Sequence, residues 1–306
     1  MSEPASQPGA PCDGAQKLPS ASEKSVAKEL EKRVPTEVKS AFSTPDRILL
    51  RLNKLLAAPG GLSAFLSTFN YTLYLLAHLD SKAEPLKARI YQLINRSSDL
   101  PKITPAVPAG PSPIASLGAL LSSTRTTLRL FGLLPMYAWA RQLMQGPKPG
   151  QDQVLYTTSV AQCSLYFAFQ LFENVALLTD NKVLSTDFTS RVSGGRTSAN
   201  LYLAAYRAWF LGFCCDFIRL FREAQLERAK REQPGHNSDA AVRKQDEEID
   251  QKWWAELIVP IAWFPVGFQF AQWREGGFPG FNLGLMGAAG ALAGLGKTKA
   301  LWDATA

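Results

Sequence analysis

The stretch Leu121–Trp139, LSSTRTTLRLFGLLPMYAW, sets leucines at helical spacing yet breaks every continuous apolar span with two arginines and five Ser or Thr residues. A helix of this kind packs in a soluble core, threads a bilayer or lies on one. With the residues just before it, Leu117, Leu120, Leu121, Leu128 and Phe131 share a face at 100° per residue, with Arg125 and Arg129 one turn apart on its flank. Two arginines at a bilayer centre cost several kcal/mol, about 3 each on insertion scales, so packing on a neighbouring helix or a surface is favoured over spanning. Pro135 is expected to break or kink the helix.

The same 3.6-residue period recurs through the ordered part and no period-2 strand is evident, so the chain reads as an all-α, membrane-associated helical bundle. Residues 1–42 form a polar tail, expected to be disordered over 1–22 and weakly helical afterwards. Residues 43–98 form an N-terminal amphipathic region. Thr44 is placed to cap its first helix, Pro45 suits the first helical position, and Pro59-Gly60-Gly61 ends it. Helices are expected over Leu62–Leu79 and Glu84–Arg96. Residues 99–113 are a linker whose five prolines forbid a regular helix. Residues 114–302 form the membrane-associated region, with helices over about Val154–Leu178 and Ala199–Arg231. A charged joining segment, Glu232–Lys252, leads to two apolar stretches near the end.

Hydrophobic residues make up 46% and charged residues 19%, a balance between a soluble enzyme and a polytopic membrane protein. The net charge of +7 favours an anionic partner. No zinc site, basic recognition helix or RNA-binding motif is present, which argues against nucleic acid. An anionic lipid surface suits better. Residues 47–56 carry Arg47, Arg51 and Lys54 on one arc beside Ile48, Leu52, Leu55 and Leu56, the pattern of a helix lying in a bilayer interface. Glu84–Arg96 repeats it with Leu86, Ile90, Leu93 and Ile94 on one face and Lys87 and Arg89 elsewhere. The alternative for both is a surface helix burying leucines in a soluble core.

Candidate spans lie toward the C-terminus. Glu256–Trp273 is interrupted by Pro260 and Pro265, and Phe278–Gly296 is uncharged for 19 residues. In the second, Gly280, Gly284, Gly287, Gly290 and Gly294 offer small-residue spacing for close helix packing in lipid. Leu201–Leu220 is apolar with a basic end. Gln162, Gln170, Glu173 and Asn174 interrupt Val154–Leu178, which leaves open a second reading as a small-solute pore. Enzyme chemistry has little material: the histidines are His78 and His236, no phosphate-binding Gly motif follows a strand, and Glu247 and Glu248 sit in a charged segment. The four cysteines, Cys12, Cys163, Cys214 and Cys215, show no C-x-x-C or framework spacing. No catalytic, cofactor or metal residue is expected.

The chain resembles the peroxisomal biogenesis factor 11 family, in its fungal branches. The resemblance rests on TPDRILLRLNKLLAAPGG, NYTLYLLAHL, SSTRTTLRLFGLLPMYAW, YFAFQLFENVALLTDNKVL, AWFLGFCCDFIRLFRE and GLMGAAGALAGLGKTKALW, which together cover about residues 43–302. It implies a peroxisomal membrane protein with both termini toward the cytosol, which elongates the membrane before fission and so controls organelle number. By position, the helices around Asp46–Leu56 and Glu84–Arg96 would insert into one leaflet. The family resemblance also implies self-association and recruitment of fission machinery that includes a dynamin-related GTPase. The long N-terminal tail and the insertion Leu100–Pro113 depart from the commonest family pattern.

Overall fold

The computed structural model describes residues 36–83, 89, 112–233 and 240–306, with side chains from Thr44 onward except that of Pro59. The chain divides into two units, Met1–Asn53 and Lys54–Ala306. The described part is helical, with no strand among the described residues. The elements are α1 (Thr36–Ala57), α2 (Pro59–Lys82), α3 (Pro113–Leu128), a 3-10 turn (Arg129–Gly132), α4 (Leu133–Leu143), α5 (Gln153–Asp180), α6 (Thr186–Ser193), α7 (Ser198–Arg231), α8 (Ala240–Ala271) and α9 (Leu283–Asp303).

Local chemistry sets most helix starts. Ser112, Asp152, Ser185, Thr197 and Asn282 each accept a backbone N–H of the first turn behind them, satisfying donors that a helix leaves unpaired. Gly194 ends α6 in the left-handed conformation at φ 68°. Thr44 caps nothing, because α1 is already under way at Thr36 and runs through Pro45, which forfeits one backbone hydrogen bond. The first unit contributes α1 up to Asn53; its last turn, Lys54–Ala57, belongs to the second.

Within the second unit, α3 packs on α2, α2 on α9, α9 on α8, α8 on α7, and α7 on α5. The helix α5 in turn packs on α4 and on the 3-10 turn into which α3 runs, so the neighbour order closes on itself. The pairs α2–α3, α2–α9, α5–α7 and α7–α8 are antiparallel. Thr68 and Thr298 share a hydrogen bond of 2.8 Å while His78 meets Gly284, which fixes α2 against α9. Asp152 pairs with Arg222 at one end of α5 and α7, and Gln162 donates to the Gly212 carbonyl farther along. Arg219 pairs with Glu256, and the Arg207 side chain donates to the Ala271 carbonyl, which fixes α7 against α8. Lys54 donates to the carbonyl of Thr305, so both ends of this unit meet at the same end of the bundle.

Two sequence expectations are corrected. The segment before Trp253 is not a joining loop: α8 starts at Ala240, because Arg231 holds Asp246 and Asp250 and Arg219 holds Glu256 across the α7–α8 seam. Pro260 and Pro265 do not interrupt it either, and α8 runs through both. The backbone groups they free are compatible with a helix surrounded by neighbours. A third expectation shifts in place. The break in the Leu121–Trp139 stretch is the 3-10 turn, with Pro135 in the first turn of α4, where its missing N–H is not needed.

Packing relies on glycines that receive rings. A Cβ on Gly118 would overlap Tyr74, one on Gly212 would overlap Tyr166, one on Gly267 would overlap Phe213, and one on Gly290 would overlap Tyr71. At Gly287 the neighbour is the backbone of Tyr71 and Leu75, which cannot rotate aside. Gly287→Ala is therefore expected to lower the thermal midpoint in detergent, since overpacking of about 1–3 kcal/mol exceeds the helix-propensity gain of about 1 kcal/mol. Gly296→Ala, facing open space, is expected to raise it.

The Asp152 carboxylate caps α5 and accepts from Arg222, and that hydrogen bond holds its pKa below the usual carboxylate range. A depressed folded-state pKa gives stability that is present above the unfolded value of about 3.9 and lost as pH falls through the lower folded value. Asp152→Asn keeps the cap and removes the titration. Thermal midpoints measured from pH 6 to pH 2 are expected to fall less steeply below about pH 4 in that variant.

Candidate functional site

Two features of the second unit stand out: a polar centre where α3, α5, α7 and α2 approach, and an outer surface rich in large apolar side chains. The centre starts from the break in α3–α4. Where the helix tightens to a 3-10 turn, the carbonyls of Arg129 and Leu130 point toward α5. Gln170 donates to the first at 2.7 Å and Asn174 to the second at 3.0 Å, and Gln170 also donates to Asn174. One turn away Glu173, 1% exposed, takes the Arg129 guanidinium with two hydrogen bonds of 2.6 and 2.7 Å. Arg129 donates further to Thr126 and lies 6.0 Å from the Phe169 ring centroid. Arg125, on the same side of α3, lies over Tyr71 at 5.3 Å. Tyr71 meets the Trp263 edge, and Trp263 meets Trp209, continuing the contacts into α8 and α7.

Arg125 of α3 and Arg129 of the 3-10 turn thus point into the bundle, and Leu117, Leu120 and Leu128 of α3 point out. Leu117, Leu120, Leu128 and Phe131 are exposed, Phe131 by 71%, and Leu134, Tyr137 and Met144 continue the exposed row on α4. The row extends around the unit through Val160, Phe167 and Leu171 on α5, Leu211, Ile218 and Phe221 on α7, Ile258, Ile261 and Phe264 on α8, and Leu292 and Leu295 on α9. The largest apolar patch of an ordinary water-soluble monomer is about 300–600 Å², so an outside of this character suits a surface covered by lipid or protein. Among the described residues, α7 and α8 are the two helices long and apolar enough to cross a membrane.

The sequence-predicted residues fall as follows. Arg47, Ile48, Arg51 and Leu52 lie in the part of α1 that belongs to the first unit, where Ile48 is 49% and Leu49 63% exposed. Lys54 and Leu55 lie in the second unit, where Leu55 is buried. Arg89 is exposed in a helical position; Leu86, Lys87, Ile90, Leu93 and Ile94 lie outside the described residues. Gly284, Gly287, Gly290 and Gly294 line the side of α9 that meets His78, Leu75, Tyr71 and Thr68 of α2, so that face is occupied within the chain. Gly280 is not in a helix: it turns the chain before α9 at φ 72°.

Gln162, Gln170, Glu173 and Asn174, the residues that raised a pore, spend their polar atoms on neighbouring helices. The partnership of Arg129 with Glu173 was not foreseen, although each residue stood out in the sequence as a charge in an apolar helix. Arg207, which holds the end of α8 and lies 4.7 Å from the Trp273 ring centroid, was also missed. No group of three or more His, Cys, Asp or Glu that could hold a metal occurs among the described residues. Cys163, Cys214 and Cys215 are free thiols.

Glu173→Leu leaves the Arg129 guanidinium without its carboxylate, and about 3–5 kcal/mol of stability is expected to be lost. The double variant Arg129→Met, Glu173→Leu is expected to recover most of it. A double-mutant cycle on thermal unfolding in detergent measures the difference.

No match was found among curated proteins, and none among solved structures. The family model of peroxisomal biogenesis factor 11 matches residues 104–302, which contain α3 through α9 apart from its final residue. This family consists of biogenesis factors and is not known as an enzyme family; its role lies in peroxisome proliferation at the peroxisomal membrane. An all-α unit with two helices fit to cross a bilayer, matched over this length, belongs to the peroxisomal biogenesis factor 11 family.

Proposed function

We propose that this chain elongates the peroxisomal membrane ahead of fission, with the helical unit as the anchor and α1 as the element that inserts into one leaflet. The observation that carries this reading is the surface of α1: Ile48 and Leu49 are exposed beside Arg47 on a basic helix. Such a helix, wedged about 5–10 Å into the headgroup boundary, expands one leaflet and favours positive curvature, and its cations are attracted to anionic lipids. The meeting of Lys54 with Thr305 supports a placement of the start and end of this unit on one side of the membrane, in keeping with a cytosolic position for both.

Bending a membrane takes many copies, so self-association is part of the proposal, as is delivery of the elongated membrane to a dynamin-related GTPase. With the α9 glycines turned to α2, the exposed apolar rows on the outside of the unit, among them those on α4, α5 and α7, are surfaces left for contact between copies. The internal pairing of Gln162, Gln170, Glu173 and Asn174 supports remodelling over a solute pore, because those groups are satisfied without water.

Counting matrix-labelled peroxisomes per cell tests the reading. Deletion is expected to give fewer, larger organelles and overexpression more numerous or tubular ones; unchanged number and shape in both strains would overturn it. The double variant Ile48→Glu, Leu52→Glu is expected to reach peroxisomes yet fail to elongate them when overexpressed.

A further inference from the structure

Beyond the apolar part of the α7–α8 pair, both helices continue into charged ends. On α8 the last charged residue is Glu256, and the run to Ala271 carries none. Trp253 and Trp254 stand one turn before that run, and Trp273 stands just beyond its other end. Trp254 and Trp273 stand 19 positions apart, and the helical part from Trp254 to Ala271 alone spans about 26 Å at 1.5 Å per residue. That is close to the roughly 30 Å of a bilayer hydrocarbon core, and indoles gather at both edges of such a core. On the membrane placement proposed above, Trp253 and Trp254 lie at headgroup level.

A groove of about 400 Å³ opens at this level between α7 and α8. Its walls include Glu227, Arg228, Arg231, Asp250, Trp253 and Trp254. The two indoles meet edge to face at 86°, with centroids 5.0 Å apart, and both line the groove. Trp253 is fixed by donating from its indole nitrogen to the Leu220 carbonyl, whereas Trp254 is 60% exposed. The charges around them are already matched: Arg228 holds Glu232, Arg231 holds Asp250, and Lys230 holds Glu227. An anionic headgroup would have to displace a carboxylate to reach either guanidinium. A headgroup with no net charge does not, and a quaternary ammonium is the cation that adjacent indole faces recognise.

We propose that this groove binds one phospholipid whose zwitterionic headgroup ends in a quaternary ammonium. The ammonium sits against the indoles of Trp253 and Trp254, and the phosphate stays at the open rim of the groove, so that neither Arg228 nor Arg231 gives up its carboxylate. The acyl chains run down the apolar flank of α8 past Ile258 and Ile261, both of which are exposed. The bound lipid would fix the depth of the α7–α8 pair in the bilayer.

Purified full-length protein in mixed micelles, titrated with dioleoyl phosphatidylcholine, phosphatidylethanolamine or phosphatidylglycerol and read by native mass spectrometry, tests this. Wild type is expected to retain the choline lipid in preference to the other two. Trp254→Ala is expected to weaken that retention about fivefold with the thermal midpoint unchanged, and Trp254→Phe to fall between. Equal retention of phosphatidylglycerol, or wild-type retention of the choline lipid by Trp254→Ala, would overturn the proposal. Alkaline carbonate extraction separates the two levels of inference. Release of the chain would overturn the membrane placement together with this site, while firm retention without headgroup preference would overturn the site alone.

Discussion

The ion pair between Arg129 and Glu173 is the contact on which the arrangement of the second unit depends. Glu173 is almost wholly buried, and a buried carboxylate without a cation is too costly to keep ionised. Its partner comes from the point where the long α3–α4 segment breaks. That break frees the carbonyls of Arg129 and Leu130, which Gln170 and Asn174 then take up. Charge, kink and amides form one connected set, and it fixes the rotation of α3 so that Arg125 and Arg129 face inward. Leu117, Leu120 and Leu128 of α3 are left facing out.

This arrangement inverts the usual layout of a water-soluble bundle. Polar side chains join helices inside, and large apolar side chains look outward. The helices approach through glycines that receive aromatic rings and through hydroxyl contacts such as Thr68 with Thr298 and Thr179 with Thr189. In lipid, where apolar burial between helices drives little, small residues and interhelical hydrogen bonds carry association, each bond contributing about 0.6–2 kcal/mol. The aromatic seam of Phe210, Phe213, Trp209, Trp263 and Phe268 between α7 and α8 adds ring contacts on the two helices best suited to spanning.

The division of labour in the proposed function follows from these two kinds of helix. A bundle locked by a buried ion pair and close glycine contacts suits a fixed anchor. A basic helix with exposed Ile48 and Leu49 suits a reversible insertion, because its cations depend on the lipid it meets. The matched charges at the α7–α8 groove offer a third kind of lipid contact, selective for headgroup shape where α1 responds to net charge.

How much of this was legible in the sequence depends on whether the signal was local. Helical class and the approximate extents of α5 and α7 follow from period and capping residues, properties of neighbours in the chain, whereas the break expected at Pro135 falls before it, at the 3-10 turn Arg129–Gly132. The start of α8 was missed because its first turns are held by Arg231, a residue of another helix, and the cap at Thr44 was misplaced because the helix had begun before that motif. Of the central site, the sequence showed Arg125, Arg129, Gln170, Glu173 and Asn174 as polar residues in apolar helices but not their pairing. Period alone determined which residues share a face of each helix. Only the tertiary structure decided which way each face looks, because that choice is made by partners distant in the chain: Glu173 and Tyr71 turn Arg129 and Arg125 inward, and α2 claims the glycines of α9.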